Sequence, residues 1–265
     1  MEVSQFLGNV NELRRGNTEY ITNSVFTPPQ LDEILHNDDT KIYCGKDLQA
    51  IFIEEADVVR TYLYARNIKS LSELPDIVPD ADKPVIIDVV GKEAAAYPFA
   101  SALCKQGFVN YSKFIRMICR QPSIRRYSET EKADYARLDE SEQIQGLLRA
   151  EFDPLFAHIP TISELERAIA KNEISVIRSE GRIAGLAYFE RISVVYVVLR
   201  FFLVLKKFRG QNIGGALLDK EFRLASEKTS YMLWIGDYNP VKTLYQNLGF
   251  AVDGMVDYIL KYDNE

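Results

Sequence analysis

Hydrophobic positions along the chain follow two spacings, and the spacing changes several times in each half. Short runs rich in Val, Ile, Tyr and Phe predict strands, and apolar residues three or four apart predict helices between them. Alternating strands and helices of this kind predict an α/β fold with a mixed central sheet. The predicted elements of the first half are a helix over 27–35, three strands over 40–65, a strand over 84–90, a helix over 93–105 and a strand over 107–119.

The second half repeats much of this order. Thr161 and Glu164 precede an apolar run at the spacing of a capping box, which predicts a helix to about Lys171. The elements predicted for this half are a strand over 135–138, helices over 140–151 and 161–171, hairpin strands over 174–178 and 182–190, a long strand over 192–205, a helix over 212–227, a strand over 231–235, a helix opening near 240 and closing strands over 251–262.

The two halves also end alike. The segment 97–108 aligns with 239–250 without a gap, and each has proline at its second position and closes on Gly-Phe. Such self-similarity predicts duplication of one fold. The polar segment 120–133 then reads as a linker between domains over 1–128 and 129–265. The alternative is that any two α/β halves share this helix, turn and strand order.

Composition describes an acidic, globular protein. The 265 residues are 47% hydrophobic and 26% charged, and the formal net charge is −6. An acidic chain is a poor match to a phosphate backbone, which argues against a nucleic-acid partner. The negative charge mildly favours a cationic acceptor such as an amine, although acidity for the sake of solubility is the commoner case.

Cysteines, histidines and the start of the chain limit the chemistry further. The three cysteines form no Cys-x-x-Cys pair, and with two histidines they cannot assemble a zinc site, so we expect no metal. The thiols are expected to be reduced, in a cytoplasmic protein. Residues 1–5 lack the pattern of a signal peptide. The apolar stretch 192–205, interrupted by Arg200, is too short to span a bilayer, so we expect no membrane partner.

One loop carries the groups that a phosphate ligand needs. It reads Arg209-Gly-Gln-Asn-Ile-Gly-Gly215 and lies between a predicted strand and a predicted helix. Glycines let the backbone turn sharply and let a ligand approach it closely. The first N–H groups of the helix point outward at the positive end of its dipole, which binds phosphate, and Arg209 adds a charge. A plain strand-to-helix turn is the alternative for this loop taken alone.

This loop resembles the pyrophosphate loop of the GNAT acetyltransferase superfamily, Arg/Gln-x-x-Gly-x-Gly/Ala, with Arg209, Asn212 and Gly214 at its defining positions. The first glycine of that pattern is Asn212 here, a residue that tolerates left-handed and cap geometry. Farther along, the segment 234–250, which contains Asn-Pro and ends Leu-Tyr-Gln-Asn-Leu-Gly-Phe, is similar to the second acyl-CoA segment of the same superfamily. Two segments in the family's order identify a GNAT-type acyltransferase.

The resemblance implies two tandem GNAT domains, each a mixed β-sheet flanked by helices, and acetyl-CoA as co-substrate. In such domains the central strand splays from its neighbour and pantetheine fills the gap like an extra strand. Tyr245 would donate a proton to the coenzyme sulfur, its alternative being a core aromatic. Asn239 would cap its helix, contact pantetheine, or do both. The residues expected to bind the coenzyme are Leu203, Val204, Leu205, Arg209, Gly210, Gln211, Asn212, Ile213, Gly214, Gly215, Asn239 and Tyr245.

The sequence does not single out one group as the general base. The run 192–205 contains no Asp or Glu, which leaves Glu190, Asp237 or water to take the ammonium proton. Each of the two carboxylates is also typical of a solvated turn. Arg200 is a charge in an apolar strand that needs a partner, and it is a candidate for binding an acceptor carboxylate. His158 is interpreted as a loop residue.

The first half lacks the residue types of this site. Ala65-Arg-Asn-Ile-Lys69 replaces the glycine loop, Leu103 stands where Tyr245 stands, and Tyr97 stands where Asn239 stands. The first half therefore resembles a degenerate GNAT domain, retained for packing or for one wall of the acceptor site.

The sequence thus predicts an acetyl-CoA-dependent N-acetyltransferase, monomeric or homodimeric, that acetylates a primary amine of a small molecule or amino acid by direct attack in a ternary complex. Two alternatives remain: a non-catalytic acyl-CoA sensor or structural module, and a transferase of a longer acyl or aminoacyl group. A dinucleotide site is excluded because residues 210–215 lack the Gly-x-Gly-x-x-Gly spacing. A P-loop is excluded because no Gly-Lys-Ser/Thr follows.

Overall fold

The computed structural model describes residues 3–120, 122, 132–224 and 228–263. The chain forms two compact units, one of residues 1–114 with 254–265 and the other of residues 115–253. Both units are α/β structures built on sheets, as the sequence predicts.

The predicted domain boundary falls outside the described residues. Residues 128 and 129 and most of the predicted linker are not described, so the division into domains over 1–128 and 129–265 stays a prediction.

The first unit packs helices against a sheet. Its elements are α1 (Val3–Arg14), β1 (Ile21–Thr22), α2 (Pro28–Leu35), β2 (Thr40–Cys44), β3 (Leu48–Glu54), β4 (Val59–Ala65), a 3-10 helix (Ile68–Asp76), β5 (Val85–Lys92), α3 (Glu93–Cys104) and the greater parts of β6 (Phe108–Cys119) and β12 (Ala251–Tyr262). The strand order includes β2–β3–β4–β5–β12, with β1 on β4. The β4–β5 pair is parallel, and the other pairs in this series are antiparallel.

Helix α2 shows how a local pattern specifies a helix. Thr27 precedes it in an extended conformation, and Pro28 occupies the first turn, where its missing N–H is not needed. The main-chain N–H and the hydroxyl of Thr27 both donate to Gln30 Oε1, at 2.9 and 2.8 Å. Leu31 and Leu35 are buried in the core of this unit.

The second unit contains the remaining elements. They are the end of β6, β7 (Ala133–Tyr135), a 3-10 turn (Leu138–Glu140), α4 (Ser141–Glu151), α5 (Pro154–Ala157), α6 (Ile162–Ala170), β8 (Ile174–Ser179), β9 (Arg182–Ser193), β10 (Tyr196–Val204), a 3-10 turn (Lys206–Phe208), α7 (Ile213–Phe222), β11 (Ser230–Gly236), α8 (Lys242–Asn247) and the start of β12. The strand order is β6–β11–β10–β9–β8–β7. Strands β10 and β11 are parallel, and those from β7 to β10 are antiparallel.

The two faces of this sheet carry different helices. Tyr188 of β9 belongs to the core that α4 and α6 form with the sheet. Its neighbour Phe189 points to the opposite face and packs edge-to-face on Phe222 of α7. Successive strand residues face opposite sides, so β10, in the middle of the sheet, is covered from both.

Element boundaries differ from the prediction where the pattern carries no signal. The apolar run 192–205 is not one strand, because β9 extends to Ser193 and a turn at Val194-Val195 separates it from β10. The two turn residues are themselves valines, so hydrophobicity does not reveal the turn. The strand predicted over 135–138 lies at Ala133–Tyr135 instead. Helix α7 ends at Phe222, and residues 225–227 are not described.

Candidate active site

Strands β10 and β11 are paired at one end only. Their parallel pairing ends at Leu199 and Leu233, although β10 continues to Val204 and β11 to Gly236. On its other side β10 stays paired with β9 to its end. Among the described residues, the edge of β10 that faces β11 is therefore left without a strand partner over residues 200–204.

A β-bulge lies where the two strands part. Leu199 pairs with Phe189 and Phe201 pairs with Tyr188, so Arg200 is an extra residue on β10. A bulge bends its strand and increases the local twist, which accounts for the separation. An open strand edge offers N–H and C=O groups to an extended ligand that fits beside it.

Three of the predicted coenzyme-binding residues lie at the end of this open edge. Leu203 is buried, and Val204 and Leu205 are half-buried. The N–H of Leu205 donates to the carbonyl of Ala184 at 3.0 Å, which ties the end of the strand to β9. The strand is thereby fixed on one side and open on the other.

Strand β10 leads directly into the glycine-rich loop. After the 3-10 turn, Gly210 and Asn212 have positive φ, 81° and 59°, Gln211 is exposed, and α7 begins at Ile213. Glycine and asparagine adopt this left-handed conformation more readily than other residues. Asn212 thus takes the conformation that glycine would have at this position.

The N–H groups of this loop are available to a ligand. The N–H of Ala216 donates to the carbonyl of Asn212 at 3.0 Å. Within the described residues, the N–H groups of residues 210–215 have no protein acceptor, and the loop is largely exposed. Free N–H groups at a helix start carry partial positive charge. Arg209 adds a full charge, and its Nε donates to the carbonyl of Val204 at 3.1 Å.

Glycines hold the start of α7 close to the sheet. A Cβ on Gly185 would lie 2.9 Å from Ile213 Cγ2, and a Cβ on Gly214 would lie 2.9 Å from Phe202 Cζ. Neither site accepts a side chain without displacing a neighbour. Gly215, half-buried, follows in the first turn of the helix. The start of α7 is therefore positioned directly by β9 and β10.

Tyr245 lies on α8 and packs against the open part of β10. Its ring is buried, 5.7 Å from the Phe250 ring and 6.2 Å from the Phe202 ring between centroids. Burial raises the pKa of the Tyr245 hydroxyl, so the group stays protonated and can donate. Within the described part of the chain this hydroxyl has no hydrogen-bond partner. No described protein group therefore uses its donor.

Asn239 forms the turn that precedes α8. Its Oδ1 accepts the N–H of Val241 at 3.0 Å, and its carbonyl accepts the N–H of Lys242 at 3.1 Å. This turn delays the helix to Lys242, two residues after the predicted start at Pro240. The side chain acts as a turn cap, and Asn239 remains exposed beside the gap between the strands.

The carboxylates considered as general bases are both in ion pairs. Glu190 Oε2 lies 2.9 Å from Arg200 Nη1, and these side chains are 32% and 38% exposed. Asp237 Oδ1 lies 3.6 Å from Lys242 Nζ. The charge of Arg200 within its apolar strand is therefore partnered inside the protein. His158 is exposed, in a left-handed conformation at the end of α5.

The first unit has a similar gap, but its own chain fills it. Strands β4 and β5 pair in parallel only over their first two residues. Beyond that point Asn23 lies between them, because its Nδ2 donates to the carbonyls of Thr61 and Asp88, at 2.9 and 3.1 Å, and its Oδ1 accepts the N–H of Leu63 at 2.7 Å. Strand β1, directly before Asn23, pairs with the end of β4.

The loop after β4 is occupied in the same way. Asn67 Oδ1 accepts the N–H groups of Lys69 and Ser70, at 2.9 and 3.3 Å, at the start of the 3-10 helix. In the first unit both the gap and the loop are thus occupied by protein groups, whereas in the second unit both are open.

We expect Asn23→Ala to lower the free energy of unfolding by about 3 kcal/mol, because three main-chain groups lose a buried partner. Urea denaturation measures the change. Asn37→Ala is the matched control, since the exposed Asn37 accepts one N–H, that of Asp39, at 3.1 Å. Equal, small losses in the two variants would show that Asn23 does not bridge β4 and β5.

A comparison with models of protein families matches residues 170–252 to the acetyltransferase (GNAT) domain. These residues include the open edge of β10, the glycine-rich loop and Tyr245. A search of curated proteins found no match.

Solved structures share the fold at low sequence identity. A tandem GNAT protein from the clavulanic acid biosynthesis pathway, solved without AcCoA, has a TM-score of 0.59 and 11% identity, over 100% of this chain and 97% of that one. A GCN5-related N-acetyltransferase from Kribbella flavida has a TM-score of 0.57 and 13% identity, over 89% and 93%. One from Sphaerobacter thermophilus has a TM-score of 0.55 and 12% identity, over 92% and 95%.

Among the described residues, no helix has the length and apolar character that crossing a membrane requires. Over the same ranges, His, Cys, Asp and Glu side chains form no group of three or more arranged to hold a metal ion.

Proposed function

We propose that this chain, which carries a GNAT acetyltransferase domain over residues 170–252 and has the fold of tandem GNAT proteins, is an acetyl-CoA-dependent N-acetyltransferase. Its acceptor in this proposal is the primary amine of a small molecule or amino acid. One observation carries the proposal: the unpaired edge of β10 leads directly into an exposed helix start whose N–H groups, over residues 210–215, have no protein acceptor among the described residues.

The coenzyme fits this arrangement in two parts. Pantetheine is extended and carries amide groups, which pair with the open strand edge over residues 200–204 as a neighbouring strand would. The diphosphate meets the N–H groups of residues 210–215 at the positive end of α7, beside Arg209. In this proposal the thioester lies near the bulge, where the gap between β10 and β11 begins.

The reaction then needs two proton transfers and no covalent enzyme intermediate. An unprotonated amine nitrogen attacks the thioester carbonyl carbon, the C–N bond forms, and the C–S bond breaks to release a thiolate. Tyr245, kept protonated by burial, donates its proton or a hydrogen bond to that sulfur and is reprotonated from solvent. The nitrogen gives its extra proton to Glu190, Asp237 or water. The products are an amide and free coenzyme A.

We further propose that only the second unit binds the coenzyme. Its gap and loop are open, whereas Asn23 and Asn67 fill the corresponding places of the first unit. Loss of the glycine loop from the first half of the sequence supports the same assignment.

The test is direct. Acetyl-CoA binding is measured by titration calorimetry, and thiol release is followed with a panel of primary amines, with protein-free reactions as the control. We expect one coenzyme per chain and thiol release that depends on the amine. Tight binding without release for any amine would favour a sensor, and turnover with longer acyl-CoA alone would favour a different acyl group. Absence of coenzyme binding would contradict the proposal.

A further inference from the structure

Charged and aromatic side chains gather on one face of the second unit, where β10 and β11 part. Pairing aligns Glu190 with Val198, and Val198 with Met232, so these three side chains share a face. Trp234, two residues after Met232, is on the same face just beyond the last β10–β11 pair. Tyr188, two residues before Glu190, is on it too.

The bulge directs Arg200 to this face. A bulge interrupts the alternation of side chains along a strand, and Arg200 reaches Glu190 at 2.9 Å. Both side chains are more than 30% exposed, 38% and 32%. An ion pair exposed in this way contributes about 1 kcal/mol or less. A ligand that offers each partner a better counter-charge can therefore separate the pair at little cost.

A second ion pair lies beside Trp234. Arg116 of β6 donates from Nε and Nη2 to Asp253 Oδ2, at 3.0 and 2.5 Å. The guanidinium carbon of Arg116 is 5.9 Å from the centroid of the indole ring. The Arg116–Asp253 pair thus borders Trp234, the Arg200–Glu190 pair lies on the same face of the sheet, and each pair contains one positive and one negative group. Such balanced charge gives no net attraction for a simple cation or a simple anion.

We propose that this face binds the acceptor and that the acceptor is a zwitterion of the amino-acid class. Its carboxylate binds the guanidinium of Arg200, since arginine and carboxylate make two parallel hydrogen bonds. Its ammonium meets Glu190, which takes one proton, passes it to solvent and leaves the nitrogen neutral for attack, so that the carboxylate is again ready for the proton released after attack. The ring of Trp234 supplies an apolar surface for the carbon body of the acceptor.

This inference rests on the proposed function, because it identifies the acceptor of the same site. It also assigns Glu190 as the proton acceptor, in preference to Asp237, because Glu190 lies beside Arg200, where the carboxylate of the acceptor binds, whereas Asp237 lies beyond the end of β11. The sequence alone does not predict that these side chains share a face, because that depends on the register of three strands and on the extra residue at position 200.

The experiment compares each common amino acid with its own C-terminal amide and with the amine left by removal of the carboxylate. Values of kcat/KM are measured at saturating acetyl-CoA. We expect at least one free amino acid to exceed its amide by about 100-fold, since a site built for a charged group rejects an analogue that lacks it. Arg200→Gln should abolish most of this preference by raising KM for the free acid far more than KM for the amide.

Two variants control for folding and for charge. Arg200→Lys retains the charge and should retain part of the preference. Arg223→Gln removes an arginine that pairs with Asp219 on α7, away from this face, and should leave the preference intact. Equal use of acids and amides by the unmodified protein, or equal losses for both in Arg200→Gln, would overturn the zwitterion assignment and leave the acetyltransferase proposal standing. Failure to bind acetyl-CoA would remove both.

Discussion

Replacing Tyr245 with phenylalanine is expected to lower the turnover number about 100-fold, the typical contribution of one positioned proton donor, without changing the affinity for acetyl-CoA. The ring of Tyr245 is buried against Phe202 and Phe250, and phenylalanine keeps those contacts. Only the hydroxyl is lost, and in the described part of the chain it has no protein partner. Thiol release gives the turnover number, and calorimetry gives the affinity.

A second buried tyrosine provides the control for Tyr245→Phe. Tyr231 on β11 donates its hydroxyl hydrogen to the carbonyl of Glu221 at 3.4 Å. Tyr231→Phe also removes one buried hydroxyl, but it should leave turnover intact. Unchanged turnover in Tyr245→Phe would remove this residue from the chemistry, and equal losses in both variants would point to a general effect of losing a hydroxyl.

Gly214→Val is expected to weaken acetyl-CoA binding by about 10- to 100-fold, equivalent to the 1–3 kcal/mol that overpacking usually costs. A Cβ at this position would lie 2.9 Å from Phe202 Cζ and 3.4 Å from Val204 Cγ2. The start of α7 must move away from β10 to admit valine, and its N–H groups move with it. Calorimetric titration with acetyl-CoA measures the loss.

The matched control for Gly214→Val is another glycine within a helix. A Cβ on Gly146 of α4 would meet nothing within 4 Å, so Gly146→Val should keep both fold and affinity. Thermal unfolding establishes that Gly214→Val is folded before its affinity is interpreted. Unaltered affinity in a folded Gly214→Val protein would mean that the N–H groups of this loop do not hold the diphosphate.

Elements specified by neighbouring residues were predictable from the sequence. The capping-box pattern predicted the helix after Thr161, and α6 begins at Ile162 with the Thr161 N–H donating to Glu164 Oε2 at 2.8 Å. The strand, loop and helix around Asn212 were predicted for the same reason, since glycine and asparagine mark left-handed conformations directly. In these cases the partners lie within a few residues of one another.

Features that depend on distant partners were not predictable. Asn23 bonds to main-chain groups 38 to 65 residues away, and no local pattern distinguishes it from a turn asparagine. Arg60 is 1% exposed and bonded to Glu55 and Asp88, although an arginine in a strand is expected at the surface. The bulge at Arg200 exists only in the register of two paired strands.

Because Asn23 belongs to the chain itself, the stability of the first unit does not depend on the concentration of a free small molecule. A peptide segment tethered to its groove acts at an effective concentration that dilution cannot change. A free metabolite, by contrast, stabilises its host only as the logarithm of its own abundance. Under the proposed function, the stability of the first unit therefore does not depend on the coenzyme concentration, whereas the second unit is the part whose resistance to unfolding increases as more coenzyme is supplied.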